Sequence, residues 1–430
     1  MIKVALISLG CAKNLVDSEN ILGLLDFDKF QIVNKVDEAD VVLINTCGFI
    51  ESSKRESIRV ILENVSSGKK VVVTGCLAER YLDDLKKEIP EVFLYIPIRD
   101  YPRFNVLLEQ AFNMPMPDLD GVRQSLRMLS TPKYTAYLKV GEGCSNRCAF
   151  CAIPLIRGSF KSRPYDEIIA EAKLLASKGV KEIIVLEQDT TRYGFDFHDG
   201  TDVVKLLKGL LAIKELDYIR LLYLYPDEIS DELIDLIGSE DRLTPSFDIP
   251  IQHSEDNVLK AMYRRGNKQF LIDLFNKIKS RVKHPVLRTT LMVGFPGESE
   301  EDVDNMIKFI QDVKFDHVGC FIYSREEGTP AYNFPNQIDE EVKKARHKRV
   351  MEAVQSISYR KNKEHVGEIM KGIVIGKDGN DYLLRSYWNA PDDVDGKIFV
   401  KTNKILHEGD IIKVKITDAF VYDLLATQID

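Results

Sequence analysis

Long hydrophobic runs are missing from this 430-residue chain, and none approaches the roughly 18 consecutive apolar residues that a membrane-spanning helix needs. No secretion signal is written at the start either. The first ten residues are apolar, but they carry no basic leading stretch and no small-residue cleavage site, and they break at Gly10-Cys11 ahead of Lys13 and Asn14. Positive charge is not in excess: 59 Lys and Arg stand against 67 Asp and Glu, a net charge of -8. That argues against a general electrostatic grip on nucleic-acid phosphates, while leaving room for a local basic face. Internal repeats and low-complexity tracts are also absent. With neither export signal nor membrane anchor, a cytoplasmic location is expected, and the seven cysteines read as metal ligands or reduced thiols rather than disulfides. What is present is ordinary for globular protein, 44% hydrophobic and 29% charged, with length for two to four domains.

Three of the cysteines are crowded together. Cys144, Cys148 and Cys151 lie in VGEGCSNRCAFCAIP, a CxxxCxxC spacing. Soft thiolates hold iron-sulfur clusters, and a cubane fixed through three irons keeps the fourth open to an external ligand. The competing readings are a zinc site with a distant fourth ligand and three unrelated cysteines. Zinc sites favour CxxC pairs with a second pair nearby, and no second CxxC or HxxxH follows.

The first third of the chain alternates short apolar runs with amphipathic stretches. Val4 to Ser8, Val41 to Asn45 and Val71 to Thr74 read as buried strands, each followed by a helical pattern, which makes a parallel sheet with helices packed on it. Cys11, Cys47 and Cys76 each sit just beyond one of these strands, beside Gly10, Gly48 and Gly75. The C-terminal ends of parallel strands share one edge, so three cysteines distant in sequence converge. The bland alternative is three small buried residues, since free cysteine is among the most buried types. Their equivalent placement beside turn-permitting glycines favours a second three-thiolate cluster.

Asn113 to Pro132 carries three prolines and little periodicity and reads as a linker. From there a longer βα alternation begins, with strands expected at Tyr137 to Val140, Glu182 to Leu186, Ile219 to Leu224, Ser246 to Pro250, Val286 to Val293 and His317 to Tyr323. Asp166 to Ser177 and Glu300 to Val313 are the clearest helices, and Arg346 to Lys363 is a basic helical connector. Six such units, without the length for eight, suggest an open partial barrel whose active residues sit at the C-terminal strand ends. From His365 onward the pattern is β-rich, with runs at Ile369 to Gly376, Asp381 to Ser386, Lys397 to Lys401, Ile411 to Ile416 and Ala419 to Ala426, and a small antiparallel barrel of OB-like type is expected. This last part holds eight Lys and Arg against eleven Asp and Glu, so nothing in it asks for RNA phosphates. The fold class is therefore α/β with three expected domains: 1–125, 133–362 and 363–430.

Specific strings carry a resemblance over essentially the whole chain. SLGCAKNLVDSEN at Ser8 to Asn20, NTCGFI at Asn45 to Ile50, TGCLAERY at Thr74 to Tyr81 and EGCSNRCAFCAIPLIRG around the clustered cysteines are similar to the methylthiotransferases of the radical S-adenosylmethionine (SAM) superfamily, with a terminal TRAM domain. AKNLVDSE, QDTTRYG at Gln188 to Gly194, DIPIQHS at Asp248 to Ser254 and NAPDDVDG at Asn389 to Gly396 resemble the RimO type, which modifies an aspartate of ribosomal protein S12, more than the MiaB type, which modifies adenosine in tRNA. An acidic TRAM domain also suits a basic ribosomal protein better than tRNA.

The resemblance implies two 4Fe-4S clusters, one on Cys11, Cys47 and Cys76 and one on Cys144, Cys148 and Cys151, with SAM used twice. It serves as methyl donor to a sulfur at the first cluster and as radical source at the second, the radical taking hydrogen from the aspartate β-carbon. The resemblance further implies an external electron donor, a sulfur donor, and neither membrane nor tRNA as partner. Substrate is expected to enter beside the TRAM domain. A rival of another class, a non-catalytic iron-sulfur electron carrier or scaffold, has no need of an open iron.

Candidate SAM contacts follow from position. Glu187 and Gln188 close the second barrel strand, where the superfamily binds the amino group. Gly294 and Gly297 in LMVGFPGE either lie along the adenosine or simply turn the chain. Gln252 and His253 could touch SAM or substrate, a lone His of this kind being more often structural. Arg264 and Arg265 read as solvated charges near a helix end, with a catalytic role the lesser alternative. Cys320 reads as core. Tyr387 and Trp388 are weak candidates for contact with a protein substrate.

Overall fold

A computed structural model describes residues 1–114, 127–391 and 394–429. Most of the expected linker, residues 115–126, and the Asp392-Asp393 pair of NAPDDVDG lie outside the described residues. The chain divides into two compact units. The first comprises Met1–Pro132, Gly141–Lys161 and Ser324–Tyr332, and the second Lys133–Val140, Ser162–Tyr323 and Asn333–Asp430. The loop carrying the clustered cysteines thus packs with the N-terminal sheet.

That sheet has five parallel strands in the order β2-β1-β3-β4-β5: β1 (Ile2–Ser8), β2 (Phe30–Ile32), β3 (Val41–Thr46), β4 (Lys70–Gly75) and β5 (Leu94–Pro97). Alternate residues serve opposite faces, as the pleat requires. Val42, Ile44, Val71 and Val73 pack with Ile61 of α2 (Glu51–Ser66) and Leu77 of α3 (Cys76–Arg80). Val41, Leu43 and Val72 pack with Ile21 of α1 (Ala12–Leu24) and with Phe104 and Leu108 further on. Both faces are covered, which is why the central strands read as unbroken apolar runs.

The second unit contains six parallel strands in two three-stranded ladders. β6 (Thr135–Lys139), β9 (Glu182–Leu186) and β10 (Tyr218–Leu221) form one; β11 (Ser246–Asp248), β12 (Val286–Val293) and β13 (His317–Ile322) form the other. Two-residue strands β7 (Gly141–Glu142) and β8 (Lys161–Ser162) flank the cysteine loop. Single bonds join the ladders, such as Leu224 N–H to the Asp248 carbonyl at 2.8 Å. Helices alternate with the strands. The one over Glu300–Val313 starts where a capping box forms, the Ser299 side chain accepting from Asp302 N–H and the Asp302 carboxylate accepting from Ser299 N–H.

Residues 369–429 close into the expected barrel, β14 (Ile369–Asp378), β15 (Asp381–Ser386), β16 (Ile398–Lys401), β17 (Ile411–Ala419) and β18 (Leu424–Ile429), in the order β14-β15-β16-β18-β17. Four of its ladders are antiparallel, and closure is made by the parallel pair β16 and β18. The last strand begins at Leu424 rather than Ala419, because Phe420 and Asp423 make a turn in which Phe420 N–H donates to the Asp423 carbonyl.

The barrel sits under the N-terminal ends of the six parallel strands. Val286, first in β12, belongs to the small barrel's own core, and His317, first in β13, bonds the Trp388 carbonyl at 2.8 Å. Glu182, first in β9, pairs with Arg385 and lies 3.5 Å from Arg220, whose guanidinium donates to the Ser386 carbonyl at 2.8 Å. Arg288 spans Asp248 and Asp395 at 2.8 and 3.1 Å. The expectation that substrate enters beside the TRAM domain is therefore corrected, since this domain closes the end opposite the C-terminal strand edge. Trp388 is correspondingly 3% exposed, its indole N–H on Asn362 Oδ1, and so is not presented to a partner, while Tyr387 is half-buried against the same core.

Candidate metal centres

The first triad is assembled from three strand-end loops. Cys11 caps α1, Cys47 follows β3 and Cys76 opens α3. A methyl group at Gly10 would stand 2.8 Å from Cys47 Cβ and 3.1 Å from its sulfur, so only glycine lets the two loops approach. At Gly75, φ +92°, an added carbon would lie 2.5 Å from the Thr46 carbonyl and closer still to Asn45 Oδ1. Asn14 braces the loops, its amide donating at 3.0 Å to the Leu9 and Thr46 carbonyls, while Asn45 donates at 2.8 Å to Asn14 O and Ser18 Oγ. Ser57 of α2 clamps Cys47, accepting from its N–H and donating to its carbonyl, both at 3.0 Å.

Electrostatics differ among the three thiols. Desolvation works against ionisation of Cys11, but the Lys13 charge, backbone N–H groups at the start of α1 and Arg157 bring it below the ordinary thiol value. Burial pushes Cys47 up despite hydrogen bonds from Phe49 and Ser53. Burial also takes Cys76 up to about 11, against the pull of Arg157.

The second triad is held on a loop whose N–H at Cys144 donates to the Gly158 carbonyl at 3.1 Å and whose Cys151 N–H donates to Cys148 O at 3.0 Å. Cys148 is buried and its two companions are half-buried. Gly143, φ +76°, passes so close to Gly158 that an added carbon would meet its carbonyl at 2.6 Å.

The two triads adjoin. Cys76 packs with Ala152 and Ile156, in and beside α4 (Ile153–Arg157), the helix directly after Cys151. At its end Arg157, with a side chain 1% exposed, donates to Asn14 Oδ1 at 2.6 Å, pairs with Asp17 at 2.9 Å and Glu142 at 2.9 Å, and reaches Cys76 Sγ at 3.5 Å. Sequence reasoning did not single out Asn14, Asp17, Glu142 or Arg157. The available signal was α1 itself, which buries Asn14, Asp17 and Ser18 where an amphipathic helix would bury apolar residues. A second brace, Arg80, donates to the Gly48 carbonyl at 3.0 Å and pairs with Glu326 at 2.7 Å.

Both donor sets suit an iron-sulfur cluster: three soft thiols on glycine-bearing loops, without a nearby carboxylate or imidazole among the expected ligands. Among the described residues no three His, Cys, Asp or Glu side chains close on one point tightly enough for a single metal ion. A cluster spreads its thiolates over separate irons and calls for a wider triangle.

In the second unit the expected SAM residues all lie at the C-terminal strand end. Glu187 is fully buried just past β9, its N–H donating to Thr190 Oγ1, with half-buried Gln188 beyond it. Gln252 extends β11, donating to the Thr290 carbonyl at 2.9 Å and accepting from Met292 N–H at 2.7 Å, with φ +69°. Tyr223, beyond β10, has φ +60°. Two non-glycine residues in the left-handed region at one edge are the kind of local strain that collects at functional sites. Gly294 and Gly297 form a tight turn pinned by Glu298, which accepts from Gly294 N–H and from Arg346, both at 2.8 Å. His253 is fully buried, accepts from Glu255 N–H and faces Glu298 at 3.4 Å. Arg264 donates to the Pro250 carbonyl and lies over the Tyr225 ring, while Arg265 pairs with Asp227 and Glu228. Cys320 is buried core, raised to about 12 by burial and by Glu298.

Comparison with known proteins gives this geometry its class. The Radical SAM superfamily model matches residues 138–310, the TRAM domain model residues 366–429, and the model described as uncharacterized protein family UPF0004 residues 3–96. Among solved structures, the radical SAM methyltransferase TsrM from Kitasatospora setae superposes with a TM-score of 0.55 at 14% identity, covering 76% of each chain. OxsB, a cobalamin-dependent SAM radical enzyme, gives 0.53 at 10% identity over 82% of this chain and 56% of that one. At such identities the likeness speaks for the fold.

Curated relatives are much nearer. Proteins named ribosomal protein uS12 methylthiotransferase RimO from Pelobacter propionicus, Clostridioides difficile and Aquifex aeolicus are 44%, 42% and 44% identical, covering 98%, 99% and 98% of this chain and 97%, 98% and 96% of their own length. The chain belongs to the RimO family of radical SAM methylthiotransferases, enzymes that transfer a sulfur-containing group.

Proposed function

We propose that this enzyme inserts a methylthio group at the β-carbon of an aspartate of ribosomal protein uS12, in the cytoplasm, drawing on SAM both as methyl donor and as radical source. The observation that carries the reading is the joining of two three-cysteine loops within one compact unit through Cys76, α4 and Arg157. An electron carrier would gain nothing from two sites each short of a fourth thiolate.

In this reading Cys11, Cys47 and Cys76 hold one 4Fe-4S cluster and Cys144, Cys148 and Cys151 the other. When bound, the clusters and SAM supply the methyl group and the hydrogen-atom abstraction that an unactivated C–H bond demands. The chain's own residues position and exclude. The buried Glu187 carboxylate suits the ammonium of SAM, Gln188 and Gln252 offer amides at the same edge, and the Gly294–Gly297 turn lies at that edge on the adenosine side in this reading. The glycines at 10, 75 and 143 let the thiol loops close, and burial of Cys47, Cys76 and Cys148 keeps water from the sulfurs. In this reading residues 1–125 serve the methylthio group, 133–362 the radical and 363–430 the closed end of the barrel. Electrons and sulfur come from outside donors.

The protein substrate is favoured over tRNA by the acidic C-terminal barrel and by the names of the relatives. Reconstituted enzyme given SAM, sulfide and dithionite with uS12, and separately with tRNA, tests this by mass spectrometry. A methylthio gain on one uS12 aspartate is expected. A gain on tRNA alone refutes the reading.

A further inference from the structure

We infer that Arg157 is a positioning residue for the cluster on Cys11, Cys47 and Cys76: it supplies that site with a charge-assisted N–H to sulfur bond through Cys76 and thereby raises the cluster's reduction potential. The inference rests on the reading of those cysteines as ligands.

The observation is geometric. Arg157 is the last residue of the helix that follows the other triad, yet its guanidinium is spent on the first. Nη2 stands 3.5 Å from Cys76 Sγ and 2.6 Å from Asn14 Oδ1, and Cys76 Sγ is itself 3.4 Å from Asn14 Oδ1. Arginine, sulfur and amide therefore form a closed triangle. Asn14 also carries the loop hydrogen bonds to Leu9 and Thr46, so the same guanidinium steadies the loops bearing Cys11 and Cys47.

Hydrogen bonds to cluster sulfurs and nearby positive charge favour the reduced, more negative state. Arg157 is fixed at that spot by two carboxylates of unequal exposure: Asp17, 4% exposed, and Glu142, 34% exposed. Asp17 is the buried counter-charge, and its removal leaves the cation less neutralised. The two residues therefore have opposite signs of effect on one observable. A merely structural role would not produce that opposition.

The test uses full-length protein carrying C144A, C148A and C151A, reconstituted with iron and sulfide so that one cluster remains, and titrated by EPR-monitored reduction. Arg157→Met is expected to shift the midpoint negative, Arg157→Lys to lie between Met and the parent, and Asp17→Asn to shift it positive. Loss of that triad's iron in Arg157→Met with retention in Arg157→Lys also supports the inference. Should Arg157→Met fail to fold, the Lys and Asn variants decide by the sign of their shifts. Midpoints that stay with the parent in variants of full iron content overturn it. If the parent itself binds no iron, the reading of the triad fails, which is a separate result.

Discussion

Arg288→Met is the sharpest probe of how the two parts of the second unit are joined. Arg288 holds Asp248 at 2.8 Å and Asp395 at 3.1 Å, and the acids are 3% and 6% exposed. Methionine keeps the apolar stem and removes the shared cation, stranding two buried carboxylates. Breaking a buried pair from one side costs about 3–5 kcal/mol. Tyr223 N–H at 3.1 Å from Asp248, and Ala390 N–H at 3.1 Å with His317 at 3.9 Å from Asp395, offset part of it. The lower end, about 3 kcal/mol, is expected, which for a body of this size lowers the melting temperature by roughly 5 °C.

The loss also has a pH signature. In the parent, burial alone would raise Asp395, but His317 and Arg288 hold it below the ordinary carboxylate value, so its contribution is full above the unfolded pKa and is lost only as pH falls through the lowered folded one. Between pH 5 and 8 the parent is flat in this group. Without the cation the buried carboxylate is raised instead, and the penalty grows as pH rises above the unfolded pKa of about 4. Denaturant unfolding of parent and variant at pH 5 and pH 8 measures this, and the difference is expected to be larger at pH 8. Adding D248N and D395N should recover part of the loss. A loss under about 1 kcal/mol, or one independent of pH, refutes the reasoning.

Cysteine variants separate the two triads: C148A should abolish 5'-deoxyadenosine under dithionite while keeping the iron of the other site, and C47A should keep 5'-deoxyadenosine but lose methylthio transfer to uS12, both read by mass spectrometry and iron analysis. Gly75→Ala meets backbone strain at φ +92° together with the Thr46 carbonyl at 2.5 Å, so its thermal melt and iron content should fall. Gly179→Ala, φ +95° with nothing within 4 Å, should show only the backbone term of about 1–3 kcal/mol and leave iron content unchanged. Equal behaviour of the two glycine variants would remove close loop approach as the reason for Gly75.

The six barrel strands were legible wherever an apolar run was long enough to be bounded by turns. β9 and β12 fall on Glu182–Leu186 and Val286–Val293 as expected, and the capped helix on Glu300–Val313. β2 and β5, three and four residues long, are too short to carry a period and were found only by their partners in the sheet. Apolar Phe420 and Val421 concealed the turn before β18. The cysteines announced themselves by spacing and strand-end position. Asn14, Asp17 and Arg157 did not, because a polar residue looks the same in sequence whether it faces water or a buried partner more than a hundred positions away. Trp388 misled for the converse reason, as an aromatic side chain that turned out to be buried in the small barrel's core.

Arg220, Glu182, Arg288 and His317 belong by sequence to the six-stranded region, yet their partners Ser386, Arg385, Asp395 and Trp388 belong to the C-terminal barrel. The floor of the larger barrel is thus shared property. A chimera that exchanged the TRAM domain alone between the protein-modifying and tRNA-modifying branches would orphan charges at the graft, and any change of substrate preference would be confounded with a damaged scaffold. An informative exchange has to carry the four floor residues along with the domain, or leave both in place.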